Sequence, residues 1–533
     1  MLTLFNKLVH RIAAPTESAS IKRQGDEHLK HGELEGAARC YQQAIALDPD
    51  FVDARIGLGF ALMGQKQYTE AERHLRHALT IDPDIADAHY LLGNASKEQG
   101  QLDDSIAHFT EALRCKADFE FAYRDLYLAL CQKGELGRAK DLVKNAICAF
   151  PKSAEFQFYL GNLLSDENAF ASAIAHYETA LSLRNDAAET HNMLGNALWK
   201  SGNLERALTC YRTVITLKPD RVDPHMNIGT ILRQQGKVQD AITSYKQAVA
   251  LGPEHSVAHH YLGNALLEIG ATEQAIACFR KVAELDPASG VQHLIDALSG
   301  GNSEHAPSQY VEKLFDSYAE TFDSHLVQRL KYSIPEQLVG QLKPYMHRSE
   351  WDVLELGCGT GLVGMAIAPH ARQLVGVDLS AKMLARAKER NLYQRLERLD
   401  LVSMVGAEPA SSYDLVTAAD VFIYVGRLDA LFNEVSRLLR PNGLFAFSVE
   451  SLDSSSQPPV GADRDCQLTK TGRYAHSSAY VRRLAAANQF ECLTFVDTCI
   501  RIEKGQPVPG RIAVLRRRGD PQVPSSQPGS ARQ

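Results

Sequence analysis

No apolar run in this 533-residue sequence approaches the roughly 18 residues that a membrane-crossing helix needs, so no transmembrane segment is expected. No C-x-x-C pair occurs among the ten cysteines. Neither a zinc site nor a disulfide framework is signalled, no metal is expected, and a reducing cytoplasmic setting is the expectation. Basic residues are not in excess: 57 Lys and Arg face 64 Asp and Glu, a net charge of −7. The basic footprint of a nucleic-acid binder is absent, and no nucleic acid is expected as partner. The first residues, Met1 to Ile12, lack the unbroken apolar core of a signal peptide and carry charges within it. Leu4, Phe5, Leu8 and Ile12 share one helical face, so residues 1–17 read as a docking or capping helix. The composition itself, 45% hydrophobic and 23% charged, is that of an ordinary globular protein. The length is too great for one core and implies two or three domains.

A period dominates the first half. Pro49, Pro83, Pro151, Pro219, Pro253 and Pro287 are separated by 34 residues or by 68, and Ala117 and Asn185 hold the skipped places. Gly59, Gly93, Gly161, Gly195, Gly229 and Gly263 keep the same step, as do Ala37, Ala71, Ala139, Ala173, Ala207, Ala241 and Ala275. Four residues after each of these alanines stands a large one: Tyr41, Leu75, Val143, Tyr177, Tyr211, Tyr245 or Phe279. The small positions let two antiparallel helices approach, the large one fills the gap, and proline ends the second helix. Each unit resembles a tetratricopeptide repeat. About eight units, within residues 18–295, are expected to stack into an α-solenoid, because one unit alone cannot bury its apolar face. The resemblance implies a groove that binds a protein or peptide. Asn94, Asn162, Asn196 and Asn264 share one repeat position; they would hydrogen-bond an extended peptide if they face that groove. The fourth repeat departs most, with Tyr127 at the glycine place and Val143 at the aromatic one.

Residues 296–309 have linker composition, and residues 310–518 form the second large domain. Apolar residues at 311, 314, 315, 318, 322 and 326 make a helical stripe, and Tyr318, Phe322 and Tyr332 are candidates to close a pocket. The stretch Val353-Leu354-Glu355-Leu356-Gly357-Cys358-Gly359-Thr360-Gly361 reads as a buried strand entering a glycine turn, with a helix beyond. The glycines keep side chains away from a ligand and allow unusual φ values. A second strand closes at Asp378, 21 residues after Gly357, where a βαβ nucleotide fold grips a ribose. Gly359 to Gly364 also satisfies G-x-G-x-x-G, so a dinucleotide and an oxidoreductase remain formal alternatives. Further strands are expected at Leu396–Leu399, Tyr413–Ala419 and Leu444–Val449. A final hairpin is expected over Cys492–Glu503 and Arg511–Arg516, before a disordered tail at 519–533.

The acid-first glycine motif from Glu355 resembles that of class I S-adenosylmethionine-dependent methyltransferases. With Val377-Asp378-Leu379-Ser380, Ala418-Ala419-Asp420-Val421-Phe422, Leu439-Arg440-Pro441-Asn442-Gly443 and the repeats, the chain resembles bacterial methyltransferases that carry tetratricopeptide repeats. The resemblance implies an α plus α/β architecture: a helical solenoid, then a Rossmann-like domain with a mixed, mainly parallel seven-stranded sheet. It implies S-adenosylmethionine as cofactor, held by Glu355, Gly357, Cys358, Gly359, Gly361, Asp378, Leu379, Asp400, Leu401 and Asp420. Asp420 and His476 are the candidate polar residues facing the methyl acceptor. The Asn-Pro-Pro-Tyr of adenine-amino and glutamine methyltransferases is missing after the fourth strand. The reading is a methyltransferase whose repeats recruit a protein or protein-bound acceptor. A small-molecule acceptor with the repeats used for assembly, and a non-catalytic scaffold, are the alternatives.

Overall fold

The computed structural model describes residues 17–301, 304–347, 350–453, 465–503 and 505–519. The helix expected at the N-terminus lies outside the described residues, as does the tail beyond Gly519. The chain divides into two compact units, residues 1–235 and 236–533.

The first unit is helical from Glu17–Lys30 to Asp223–Gln234. Its glycines and large residues meet as the period predicts. A Cβ added to Gly59 would lie 2.7 Å from Leu75, one on Gly93 2.6 Å from Phe109, and one on Gly195 2.7 Å from Tyr211. Each glycine therefore sets how closely two helices pack, and Tyr41, Phe109, Tyr177 and Tyr211 are almost wholly buried against them. In the fourth repeat the bulk has changed sides: Tyr127 and Val143 lie in one buried cluster, with the large residue now on the first helix. Helices Leu34–Leu47, Tyr68–Ile81, Leu136–Ala149 and Leu204–Leu217 all stop two residues before a repeat proline, since the residue preceding proline is pushed out of the α region. Leu102–Cys115 and Phe170–Leu183 stop at the same place before Ala117 and Asn185. Interhelix packing thus fixes the repeat length even where proline is missing.

The second unit opens with helices Val238–Leu251, Ser256–Glu268, Thr272–Leu285 and Gln292–Ser299. Helix Ser308–Tyr318, the π-helical turn Ser324–Arg329 and helix Ile334–Leu342 precede a sheet. Its strands are β1 (Trp351–Leu356), β2 (Ala371–Asp378), β3 (Arg395–Arg398), β4 (Tyr413–Ala418), β5 (Leu439–Ser451), β6 (Cys466–Leu468), β7 (Tyr474–His476), β8 (Phe490–Glu503) and β9 (Gln506–Arg517). The order is β3-β2-β1-β4-β5-β7-β6, with β9 between β5 and β8. β1 to β5 run parallel, and β9 is antiparallel to both its neighbours. The expected count of seven is corrected to nine among the described residues. The additional strands, β6 and β7, are three residues each, too short to leave an alternation pattern.

Every residue of β1 and β4 is buried, as befits parallel strands covered on both faces. Successive side chains enter opposite layers. Leu354, Leu356, Val416 and Ala418 join one cluster, while Trp351, Val353 and Leu415 join the other. The chain runs outward from β1 to β3 and returns to β4 beside β1. A crevice opens at such a reversal, at the carboxyl ends of the strands. Within the stretch of linker composition, Glu304 and Ala306 are hydrogen-bonded to the domain. Glu304 O accepts the amides of Gly426 (2.9 Å) and Arg427 (3.0 Å), and the Ala306 amide donates to Tyr424 O at 3.0 Å.

Candidate functional site

A cavity of about 1370 Å³ opens at the carboxyl ends of β1, β2 and β4. Its floor is the glycine turn after β1. Gly357, Gly359 and Gly361 have φ of +63°, +53° and +90°, values that L side chains rarely take. Their roles differ. A Cβ on Gly357 would lie 2.5 Å from Val421, and one on Gly361 3.2 Å from Arg390 and Tyr393. Those two glycines serve close packing. A Cβ on Gly359 would meet nothing nearer than Phe322, at 3.9 Å; there, bare backbone faces open space.

Two acids, the buried Glu355 and the half-buried Asp378, flank the turn. Asp378 accepts the Gly359 and Ser380 amides, each at 2.9 Å. Burial raises its pKa, opposed by those amides. Glu355 is 3% exposed, and burial pushes its carboxyl up to about 8, with the Tyr393 hydrogen bond opposing. Tyr393 donates to Glu355 at 2.8 Å. Gly364 and Gly376 leave room for its ring, since a Cβ on either would collide with it. Tyr393 escaped the sequence reading, and those two glycines were its only trace.

Glu355, Gly357, Cys358, Gly359 and Asp378 all line the cavity, as do Leu379, Asp400, Leu401 and Asp420. Cys358 is buried, and burial raises its thiol well above the ordinary value, so it is no thiolate. Asp400 caps helix Leu401–Ala407 through the Ser403 amide at 3.0 Å. Gly361 does not line the cavity; it caps helix Leu362–Ile367.

Asp420 follows β4 with φ +58°, a strained conformation for a non-glycine residue. Its amide donates to Ser448 Oγ at 2.8 Å, and both carboxylate oxygens lie 3.2 Å from Arg501 Nη1. Arg501 is 2% exposed and also pairs with Glu450 and Glu503, while Glu503 pairs with Arg473. Burial alone would lower the Arg501 pKa, but the surrounding carboxylates outweigh it and hold the guanidinium charged. Asp420, Arg473, Arg501 and Glu503 line the same cavity.

The acceptor-facing place expected for His476 needs correction. His476 is wholly buried in β7 and does not line the cavity. Its Nε2 lies 3.0 Å from the carbonyl oxygens of Val425 and Gly426, so it braces the loop behind the wall. Burial lowers its pKa to about 4, which keeps the ring neutral. Asn162 and Asn196 likewise have partners within their repeats: each side-chain oxygen accepts a tyrosine hydroxyl, from Tyr177 at 2.8 Å and Tyr211 at 2.7 Å.

The opposite wall comes from the segment before β1. Phe315, Tyr318, Phe322 and Tyr332 face the cavity together with Tyr424. Asp316 accepts the Ser380 hydroxyl at 2.5 Å, and Asp323 accepts both the Thr360 hydroxyl and Arg390 at 2.5 Å. The segment is therefore fastened to the same turns that carry Gly359 and Asp378.

A family model described as a methyltransferase domain matches residues 354–445. Tetratricopeptide-repeat models match residues 25–66, 62–130, 161–202, 192–256 and 226–290. The chain carries a methyltransferase domain behind tetratricopeptide repeats. Among curated proteins it is similar to a probable S-adenosylmethionine-dependent methyltransferase, CRG1, of Saccharomyces cerevisiae, with 29% identity over 24% of this chain and 45% of that protein. It is 31% identical to a malonyl-[acyl-carrier protein] O-methyltransferase of Methylovorus over 31% of this chain and 57% of that one. A ubiquinone biosynthesis O-methyltransferase of Leptothrix cholodnii is 27% identical over 32% of this chain and 72% of its own length. The chain spans about half the length of the first two relatives. No helix among the described residues is long and apolar enough to cross a membrane.

Proposed function

We propose that this chain transfers a methyl group from S-adenosylmethionine to an acceptor carried by a protein that the repeats engage. The observation that carries the reading is that one cavity is lined by Gly359 and Asp378 and also by Asp420 and Arg473. The residues fit the cofactor: bare backbone at Gly359, a buried carboxyl at Glu355, and Asp378 already oriented by two amides. In this reading Glu355, Gly357, Cys358, Gly359, Asp378, Leu379, Asp400 and Leu401 hold the cofactor. Gly361 shapes the turn from behind, and Asp420 marks the boundary with the acceptor. When bound, the cofactor supplies an electrophilic methyl on a sulfonium, so the protein's work is largely positioning.

The chain's own residues divide that work. Phe322 covers the glycine turn, and Asp323 and Asp316 hold its segment down, which keeps water from the reacting atoms. Asp420, fixed by Ser448 and Arg501, presents a carboxylate of set orientation at the far side. Arg501 holds that carboxylate in place. The repeats supply the surface that selects the acceptor's carrier. One relative is named for an acceptor attached to an acyl-carrier protein, a precedent in that protein for a small group presented by a carrier.

A freely diffusing small molecule is the second reading, favoured by the size of the cavity. Incubating the pure enzyme and methyl-labelled cofactor with a lysate of cells lacking the gene separates the two. Label in the protein fraction supports the first reading. Label confined to small molecules overturns it in favour of the second.

A further inference from the structure

The cavity, at about 1370 Å³, exceeds the roughly 300–1,000 Å³ usual for one small ligand. If the cofactor takes the glycine-turn end, as proposed above, a second molecule or group fits whole beside it. The chemistry of the remaining walls restricts what that group is.

Those walls are rings and ion pairs. Phe315 stands edge-on to Phe322 (6.0 Å, 66°) and to Tyr424 (5.5 Å, 82°), and Tyr318 stands edge-on to Phe322 (5.2 Å, 79°). Tyr332 also lines the cavity, and its hydroxyl stays protonated because burial raises its pKa well above the ordinary value. Each charge at this end already has an opposite partner, two arginines among three carboxylates. Arg501 holds Asp420 at 3.2 Å and Glu503 at 2.6 Å and also meets Glu450, while Arg473 meets Glu503. An anion entering here must draw an arginine away from its carboxylates, and a cation must draw a carboxylate away from its arginine. Either breaks a buried pair, which is costly. An apolar, uncharged body displaces only water from the rings.

We propose that this end of the cavity is the acceptor subsite, and that it takes an uncharged, largely apolar acceptor, ring-shaped in its body. The acceptor's carrier, where it has one, remains outside the mouth. Charged side chains such as lysine or glutamate are then not what is methylated. Recognition comes from the rings of Phe315, Tyr318 and Tyr424, and the ion-pair network excludes charged competitors of the same shape.

Three probes that share one ring system and differ in charge test this on the full chain: indole, indoleacetate and tryptamine. Calorimetry with S-adenosylhomocysteine comes first; no binding there defeats the cofactor reading itself, independently of the acceptor. With the protein saturated in that compound, indole is expected to bind roughly ten-fold or more tighter than either ion, the penalty of burying an unpaired charge. Phe315→Ala should lower indole affinity by a clearly larger factor than it lowers S-adenosylhomocysteine affinity, and the latter titration reports that the variant is folded. An ion binding as tightly as indole overturns the proposal, as does failure of all three probes to bind the loaded protein. Equal losses for indole and S-adenosylhomocysteine in the Phe315 variant overturn the placement of the subsite.

Discussion

Asp323 accepts the hydroxyl of Thr360 at 2.5 Å, joining the segment before β1 to the middle of the glycine turn. Arg390 completes the link by donating to Asp323 and to Thr360 O, each at 2.5 Å. A ligand lying on Gly359 is enclosed by Phe322 only while this link holds. Asp323→Ala should therefore speed dissociation of S-adenosylhomocysteine by about two- to ten-fold, the worth of one or two net hydrogen bonds, with a much smaller change in association. Stopped-flow displacement measures both rates. An unchanged dissociation rate removes the segment from any role in retention.

Glu355 makes ligand binding depend on pH. Its carboxyl, raised by burial to about 8, is protonated in the ligand-free protein at neutral pH. A carboxyl with a raised pKa favours its neutral form in the fold. Its contribution to stability is thus complete below the ordinary value of 4.5 and is lost as pH rises through about 8. A cationic amino group placed beside it favours the ionised form, so binding releases a proton. Affinity for S-adenosylhomocysteine should rise between about pH 6 and pH 8, by at most about ten-fold per pH unit, and Glu355→Gln should flatten the profile. Calorimetry in two buffers of different ionisation heat counts the released proton. Proton uptake, or none, contradicts the role given to Glu355.

Arg501 is the charge on which the far end of the cavity depends. Replacing it with Met keeps much of the side-chain volume but leaves Glu450, 7% exposed, without its arginine. Losing one partner of a buried ion pair costs about 3–5 kcal/mol. Equilibrium denaturation should show a loss of that order for Arg501→Met and a smaller one for the double change Arg501→Met with Glu450→Leu. Equal losses would mean that the pair is not coupled.

What the sequence revealed and what it hid follow one division. Patterns that repeat or lie within a few residues were readable: the glycine against its large partner every 34 residues, the turn after β1, and the acid closing β2. Contacts between ordinary residues far apart in the chain were not. Arg501 and Asp420 are 81 residues apart, and nothing near either one signals the other. His476 was readable as a residue in the insert after β5, but not the direction of its side chain. For Asn162 and Asn196 the shared repeat position was plain, while their tyrosine partners, 15 residues on, were hidden by the helix turn between them.

The fourth repeat tests the rule that one small and one large residue meet between the two helices. Tyr127 and Val143 have exchanged sizes relative to the other repeats and share one cluster. Tyr127→Gly should leave a void, costing about 3–5 kcal/mol as for other buried aromatics. Val143→Tyr should overfill the site by about 1–3 kcal/mol. The double substitution restores the usual arrangement and should be clearly more stable than the sum of the two losses predicts. Additive losses in urea unfolding would refute the pairing.

The short stretch before helix Ser308–Tyr318 is the last test. Its composition reads as a linker, yet Glu304 O holds the amides of Gly426 and Arg427, the Ala306 amide holds Tyr424 O, and Glu304, His305 and Ala306 line the cavity. His476 braces the same loop from behind, through Val425 O and Gly426 O. The loop is thus clamped on two sides, and residues 304–306 form part of the wall that an acceptor meets. Ala306→Pro removes one donor and its hydrogen bond, at a cost of about 1–3 kcal/mol for the group left unsatisfied. Hydrogen exchange on the full chain should show the Gly426 and Arg427 amides protected in the unaltered protein and exposed in the variant, while the amides of β1 and β4 keep their protection. Binding of a ring probe such as indole should weaken in parallel, because Tyr424 is released. Fast exchange at Gly426 and Arg427 in the unaltered protein would mean that the stretch is a free tether after all, and that the wall is complete without it.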